Sequence, residues 1–257
     1  MSTSQHSDEP TETIPPHTPL TSYYGEVPAR ERYVRDLFNR TAPHYNTVEK
    51  LFGNGGILYR RLSMKFAGMG PGMKVLDIAM GTGNVIQGVV KNIGPTGQAF
   101  GYDPSPGMIA EARKVFKGPI TRGVGERLPF KTNTFDFVTM GIALRHVADL
   151  VATFREYNRV LKPGGKLWIL ESHVPESKLG HAATKLFWAK IIPGLTLVFT
   201  RSPEAKELMD YYWDTVEKCV SPERIVEALA KADFEDARSN LIVPGAFIEY
   251  KGTKRQI

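Results

Sequence analysis

The stretch VLDIAMGTGNVIQG, residues 75–88, decides the fold. Val75, Leu76 and Ile78 form an apolar, β-branched run, two glycines follow closely, and the spacing then turns helical. The chain therefore passes from a buried strand through a tight turn into a helix. Gly81 and Gly83 lie in that turn, where a missing Cβ lets backbone approach a bound ligand. A dinucleotide fingerprint would need glycine again at position 86, and the chain has Ile86. A nucleoside with a compact, cationic remainder fits better than a pyrophosphate. The plainer alternative is a structural turn beside a surface aspartate.

Outward from this turn the pattern alternates. Strand KVLDIA (74–79), a helix over about 84–92, strand QAFGYD (98–103), a helix over 105–116, strands ITRGV (120–124) and FDFVTMG (135–141), a helix over 149–161 and strand KLWILE (166–171) follow in order. Strands separated by helices predict an α/β fold with a doubly wound, mainly parallel sheet. Helices over 178–192, 203–217 and 221–232 precede two extended runs, EDARSNLIV and AFIEYKG, joined by Pro244-Gly245. These predict a C-terminal antiparallel hairpin on one sheet edge, for seven strands in all. Before the first strand, 29–52 and 57–68 read as helices of an N-terminal cap spanning 23–70, with GNGG (53–56) as the loop between them. Such a sheet binds ligands at the carboxyl ends of its strands, which selects Asp77 and Asp103. Asp103 lies 20 residues beyond Gly83, placed to hold ribose hydroxyls.

Composition narrows the function. The chain has 257 residues, 42% of them hydrophobic, enough for one sizeable domain, here 23–257, with additions. The net charge of +6 comes from scattered Lys and Arg, which argues against a nucleic-acid stripe. A lone cysteine, Cys219, and the absence of any Cys/His spacing for metal favour a reducing, cytoplasmic setting and no metal site. Residues 1–22 contain no Lys or Arg and no apolar run, and read as a disordered tail. The most apolar stretch, LFWAKIIPGLTLVF (186–199), is interrupted by Lys190 and Pro193, so a membrane span is not expected.

The D-x-x-x-G-x-G run (77–83), Asp103, GERLPFKTNTFDFV (125–138) and RVLKPGG (159–165) resemble the successive motifs of class I S-adenosylmethionine-dependent methyltransferases. VRDLFNRTAPHYNTVEKL (34–51), LDIAMGTG (76–83), ERLPFKTNTFD (126–136) and ALRHVADL (143–150) are similar in particular to the ubiquinone/menaquinone biosynthesis C-methyltransferases. The resemblance implies S-adenosylmethionine as cofactor. Thr82, with Gly81 and Gly83, would line its methionine end, Asp103 its ribose and Val124-Gly125 its adenine, with Asp77, Glu126 and Gly141 alongside. Val124 departs from the family's Asp or Asn, which removes a side-chain hydrogen bond to the adenine, and backbone at Gly125 and Glu126 would have to replace it. Glu126 could equally be a loop carboxylate facing water.

After the fourth strand, GIALRHV (141–147) stands where the family has its catalytic arginine, thought to hold a water that takes a proton from the aromatic ring. Arg145 matches, while Gly141 and His146 depart. Arginine stays protonated at neutral pH and could orient a water, whereas His146 could itself act as the base. The plainer readings are an ion pair of Arg145 with Asp149 or Glu156, and a packing role for His146. Tyr45 matches the family's Tyr-Asp pair, with Asn46 departing from it, and could close over the cofactor or pack as core. Trp188, Tyr211 and Tyr212 lie in aromatic stretches of an insertion, 174–217, expected to cover the substrate or only to pack helices.

The expected reaction is methyl transfer to a ring carbon of a quinol, prenylated in the leading version. Lys185, Lys190 and Arg201 beside apolar residues are compatible with peripheral attachment to anionic lipids of an inner membrane. Two other readings stand: N- or O-methylation of a soluble heteroaromatic or phenol, and a non-catalytic cofactor-binding module in a complex. A homodimer is left open.

Overall fold

In a computed structural model, residues 13–51 and 55–256 are described. The first strand is β1 (Lys74–Ile78), flanked by β2 (Gln98–Asp103) and β4 (Phe135–Gly141), both parallel to it. β3 (Ile120–Arg122) lies outside β2, and β5 (Leu161–Ser172) outside β4. β6 (Phe234–Val243) and β7 (Phe247–Lys254) form the antiparallel hairpin, with β7 inserted against β5, giving the order β3-β2-β1-β4-β5-β7-β6. The chain winds outward from β1 to β3 and then returns to the other side of β1. That reversal opens a crevice at the carboxyl ends of β1 and β4.

Period-two side-chain alternation divides the sheet between two cores. Val75, Phe137 and Trp168 face α3 (Gly55–Phe66), α4 (Asn84–Ile93) and α5 (Pro106–Val115). Leu76, Val138 and Leu167 face α6 (Leu150–Val160) and α10 (Pro222–Lys231). A third core joins α1 (Thr21–Tyr24) and α2 (Arg30–Leu51) to α9 (Pro203–Glu217) through Leu20, Leu37, Leu208 and Tyr211. This third core is the cap over the crevice.

Three expectations are corrected. The tail predicted to run unstructured to residue 22 is packed from Ile14 onward: Leu150 N–H donates to the Ile14 carbonyl (2.9 Å) and Val220 N–H to that of Pro16 (2.8 Å). Ile14 and Leu20 are buried, but two isolated apolar residues carry no periodicity that sequence reading can detect. Residues 1–12 lie outside the described residues, as do 53 and 54 of the predicted GNGG loop, and α3 already begins at Gly55. Finally, Lys190 and Pro193 do not interrupt the apolar stretch. α7 (Lys178–Leu186), a π turn (Phe187–Ile191) and α8 (Ile192–Thr200) form one 23-residue helical run apolar and long enough for a span. The wider π turn just before Pro193 makes room for the proline ring. Trp188, Ile192 and Thr196 anchor the run in the cap.

Candidate functional site

A cavity opens in the crevice, between the carboxyl ends of β1, β2 and β4 and the cap. Asp103, Val124, Gly125 and Glu126 line it on the β2–β3 side, and Gly81 and Gly141 line it after β1 and at the end of β4. Val34, Phe38, Tyr45 and His146 supply the wall toward the cap. A smaller cavity, about 330 Å³, shares Tyr45, Gly81 and Gly141 with the first and adds Glu49, Arg60, Thr82 and Asn84.

Asp103 ends β2 with its carboxylate fixed by backbone. Gly81 N–H donates to Oδ2 (2.9 Å) and Ser105 N–H to Oδ1 (2.8 Å). A carboxylate has about four acceptor positions, so roughly two remain for a vicinal diol. Burial raises the Asp103 pKa to about 6, leaving it mostly ionised at neutral pH. Gly81 has φ +54°, and a Cβ there would face open space, as a residue against a ligand should. Gly83 differs: at φ +93° its Cβ would stand 2.9 Å from Val115 Cγ2, so its bareness serves the packing of α4 on α5. It lines neither cavity.

Asp77 likewise lies one layer beneath the lining. Its Oδ1 accepts from Thr139 Oγ1 (2.7 Å), its Oδ2 is buried without a hydrogen-bond partner, and burial raises its pKa to about 7. Thr82 lines the smaller cavity and donates to Asn46 Oδ1 (2.7 Å), which gives the departing Asn46 a partner. Glu126 is not simply a solvated carboxylate, because its Oε1 accepts from Ala148 N–H (2.8 Å) and ties the loops after β3 and β4 together.

Arg145 and His146 are adjacent but face opposite ways. Arg145 is 1% exposed and points inward, paired with Glu171, donating from Nε to Thr215 Oγ1 (3.1 Å) and lying 4.7 Å over the Tyr212 ring. Its partner is neither Asp149, which caps α6, nor Glu156, which pairs with Arg159. It does not line the large cavity. His146 does, held between Tyr211, stacked at 5.7 Å, and Phe38, edge-on at 5.1 Å. Burial, then the charges of Arg145 and Arg30, push its pKa well below 6.5, and Nδ1 has no hydrogen-bond partner. The imidazole is neutral at physiological pH. It cannot titrate near 6.5 as its sequence predicts.

Of Tyr45, Trp188, Tyr211 and Tyr212, only Tyr45 lines the large cavity. Trp188 packs against Tyr212 (5.2 Å) in the core of the cap, Tyr211 backs His146, and Tyr212 shares a hydrogen bond with Ser172 Oγ (2.5 Å) beneath Arg145. Sequence reasoning missed Phe38, Glu49, Arg60 and Arg30. Val34, Phe38, Tyr45 and Glu49 recur at helical spacing along α2, a signal present in the sequence. Arg30 carried no signal. From the start of α2 it donates to the carbonyls of Arg145 (2.9 Å) and Val147 (2.8 Å), fixing the loop that bears His146. Among the described residues no group of three or more His, Cys, Asp and Glu side chains is arranged to hold a metal ion.

Comparison with known proteins agrees with this geometry. The model of the ubiE/COQ5 methyltransferase family matches residues 27–254. The chain is 30% identical to a demethylmenaquinone methyltransferase of Symbiobacterium thermophilum over 88% of its own length and 94% of the relative's. It is 29% identical to the ubiquinone/menaquinone biosynthesis C-methyltransferase UbiE of Shewanella woodyi, covering 92% and 98%. Among solved structures, a SAM-dependent methyltransferase from Thermotoga maritima superposes with a TM-score of 0.61 at 23% identity, covering 86% of this chain and 99% of that one. Phosphoethanolamine N-methyltransferase 2 of Haemonchus contortus, in complex with S-adenosyl-L-methionine, gives 0.64 at 21% identity, covering 86% and 60%. At such identities these two establish the fold alone.

Proposed function

The chain belongs to the ubiE/COQ5 methyltransferase family and is an S-adenosylmethionine-dependent methyltransferase, and from that premise we propose that it methylates a ring carbon of a prenylated quinol. Three observations support a fit between its residues and the cofactor. Asp103 keeps acceptor capacity for a ribose diol, Gly81 faces open space, and the buried Nε of Arg60, which lines the smaller cavity beside the glycine turn, lacks a partner. Asp103 would hold the ribose, Val124 and Gly125 the adenine, and Gly81 and Thr82 the methionine end.

When bound, the cofactor supplies a methyl carbon already activated by a positive sulfur. The protein has to align the acceptor and remove its protons. His146 carries the proposal: it is a neutral, part-buried imidazole on a cavity wall that it shares with Phe38, Tyr45, Ile142, Ala143 and Val147. In this reading it accepts the proton of a ring hydroxyl, which moves electron density onto the neighbouring carbon, the atom to be methylated. The positive field of Arg145 and Arg30 that disfavours imidazolium favours the phenolate by the same sign. Arg145 is then a positioning residue, holding the catalytic loop through Glu171 and Thr215.

A prenyl chain would reach lipid where the 178–200 helical run exposes Leu186, Phe187, Val198 and Phe199. The test is incubation with a demethylated prenyl naphthoquinol in mixed micelles and, separately, with soluble phenols and heteroaromatics, the product being mapped by NMR. A new C–CH3 on the quinol is expected. Turnover confined to an oxygen or nitrogen of a soluble acceptor would replace this reading with its rival.

A further inference from the structure

We propose that Arg60, Glu49 and Asn84 form the receptor for the amino-acid end of the cofactor, with Arg60 taking the carboxylate and Glu49 the ammonium. The inference rests on the cofactor reading above and adds to it residues from α2, in the cap, and from α3 and α4, which pack on the sheet. Arg60, on α3, is only 7% exposed, and its Nη2 donates to Glu49 Oε1 on α2 (3.0 Å). Its Nε is buried without a partner. Asn84, opening α4, donates to the other Glu49 oxygen and to Thr82 Oγ1 (3.3 Å). All four side chains line the smaller cavity beside Gly81, the residue that also borders the ribose side of the large one.

The chemistry of this cluster is that of a zwitterion. A guanidinium presents a fork of donors matched to a carboxylate, and a carboxylate is the natural partner of an ammonium. The Arg60–Glu49 pair is electroneutral, so a zwitterion can exchange with it without leaving a net buried charge. An orphaned buried N–H is costly, and a ligand carboxylate would satisfy the Arg60 Nε. Glu49 lies one helical turn beyond Tyr45, so α2 presents both to the same cavities. α2 from the cap and α3 from the sheet face thus read one charge of the cofactor each.

The alternative is that the pair only pins α2 to α3. Calorimetry with S-adenosylhomocysteine and 5′-methylthioadenosine separates the two, because the second ligand keeps the nucleoside and lacks the amino acid. Wild type should bind S-adenosylhomocysteine far more tightly. Arg60→Met should weaken S-adenosylhomocysteine at least about tenfold and methylthioadenosine less than about twofold, the loss expected for one charge-assisted contact. Glu49→Gln, which keeps the shape and one acceptor oxygen for Arg60 while removing the charge, should show the same selective loss, so the idea does not hang on the folding of one variant. Equal loss for both ligands, or none for either, in Glu49→Gln would overturn the receptor. Wild type binding methylthioadenosine normally but preferring S-adenosylhomocysteine by less than about threefold would also overturn it while leaving the cofactor reading standing. Failure of wild type to bind either would overturn both.

Discussion

Gly81 and Gly83 stand two positions apart in one turn, and their neighbours assign them different work. Alanine at 83 would drive a Cβ to 2.9 Å from Val115 at a positive φ, whereas at 81 it would meet open space. Gly83→Ala should therefore destabilise the protein by about 1–3 kcal/mol in urea unfolding with cofactor affinity retained in the folded fraction. Gly81→Ala should cost about 1 kcal/mol of stability and weaken S-adenosylhomocysteine binding disproportionately. The reverse ranking would mean that the turn meets its ligand at Gly83. His146 yields a second outcome. Since burial and two arginines depress its pKa, the base form persists below pH 6.5, and kcat/KM should be flat from about pH 6.5 to 8. His146→Gln should lower kcat by roughly 10²-fold or more with little change in cofactor affinity. An acid limb centred at 6.5 in wild type would show that the base titrates at an ordinary pKa, against the depressed His146, and its persistence in His146→Gln would remove His146 as the base. That Asp103, Gly81 and His146 stand on the crevice was legible in the sequence, because a strand end fixes where a following side chain goes. The burial that sets the pKa of His146, and the ion pair joining Arg60 to Glu49, belong to tertiary neighbours that spacing does not encode.

Among elements, the sheet was the readable part. Its strands are short, apolar and bounded by turns, so their limits fall close to those expected, with β3 ending early at Arg122 and β5 beginning early at Leu161. The cap was harder to read. Its aromatics satisfy the same pattern whether they line a tunnel or pack helices, and Tyr211 and Trp188 pack. The 178–200 run illustrates the limit differently, because Pro193 is absorbed by a π turn instead of ending the helix. That run leaves Leu186 58% and Phe199 61% exposed, beside basic residues at 185, 190 and 201. Buried apolar area together with basic charge gives interfacial attachment to anionic lipid. Co-sedimentation with vesicles containing phosphatidylglycerol should capture wild type at low salt, and Leu186→Glu with Phe199→Glu should abolish capture. The exposed positions predict a stability change within about 0.5 kcal/mol each. Equal capture of the double variant would place any lipid contact elsewhere.

At the scale of the molecule, cofactor binding and pH act on a shared set of buried groups. Burial lifts Asp103 to about 6 and Asp77 to about 7, above their unfolded values near 3.8. Their stabilising contribution is therefore complete below about pH 4 and is lost as pH rises through 6 to 7. His146 has the opposite sign: its lowered pKa contributes stability above 6.5 that is lost on acidification. These terms oppose one another, so the Tm of the free protein should change little between pH 5.5 and 7.5. The liganded protein should behave otherwise, because a ribose diol donates to the ionised Asp103. At a ligand concentration of about 100 Kd, S-adenosylhomocysteine should add roughly 2.7 kcal/mol at pH 7.5. That corresponds to a rise in Tm of about 5–11 °C for a chain of this size. One unit below the Asp103 pKa, near pH 5, affinity should fall about tenfold, removing roughly 1.4 kcal/mol and about half of that rise. Asp103→Asn distinguishes the source of the effect. The amide does not titrate, so its smaller ligand-induced shift should be independent of pH across the same range, measured by scanning fluorimetry. If the pH dependence survived in that variant, the titrating group would be Asp77 behind the turn, and the ribose would be held by something other than the carboxylate at the end of β2.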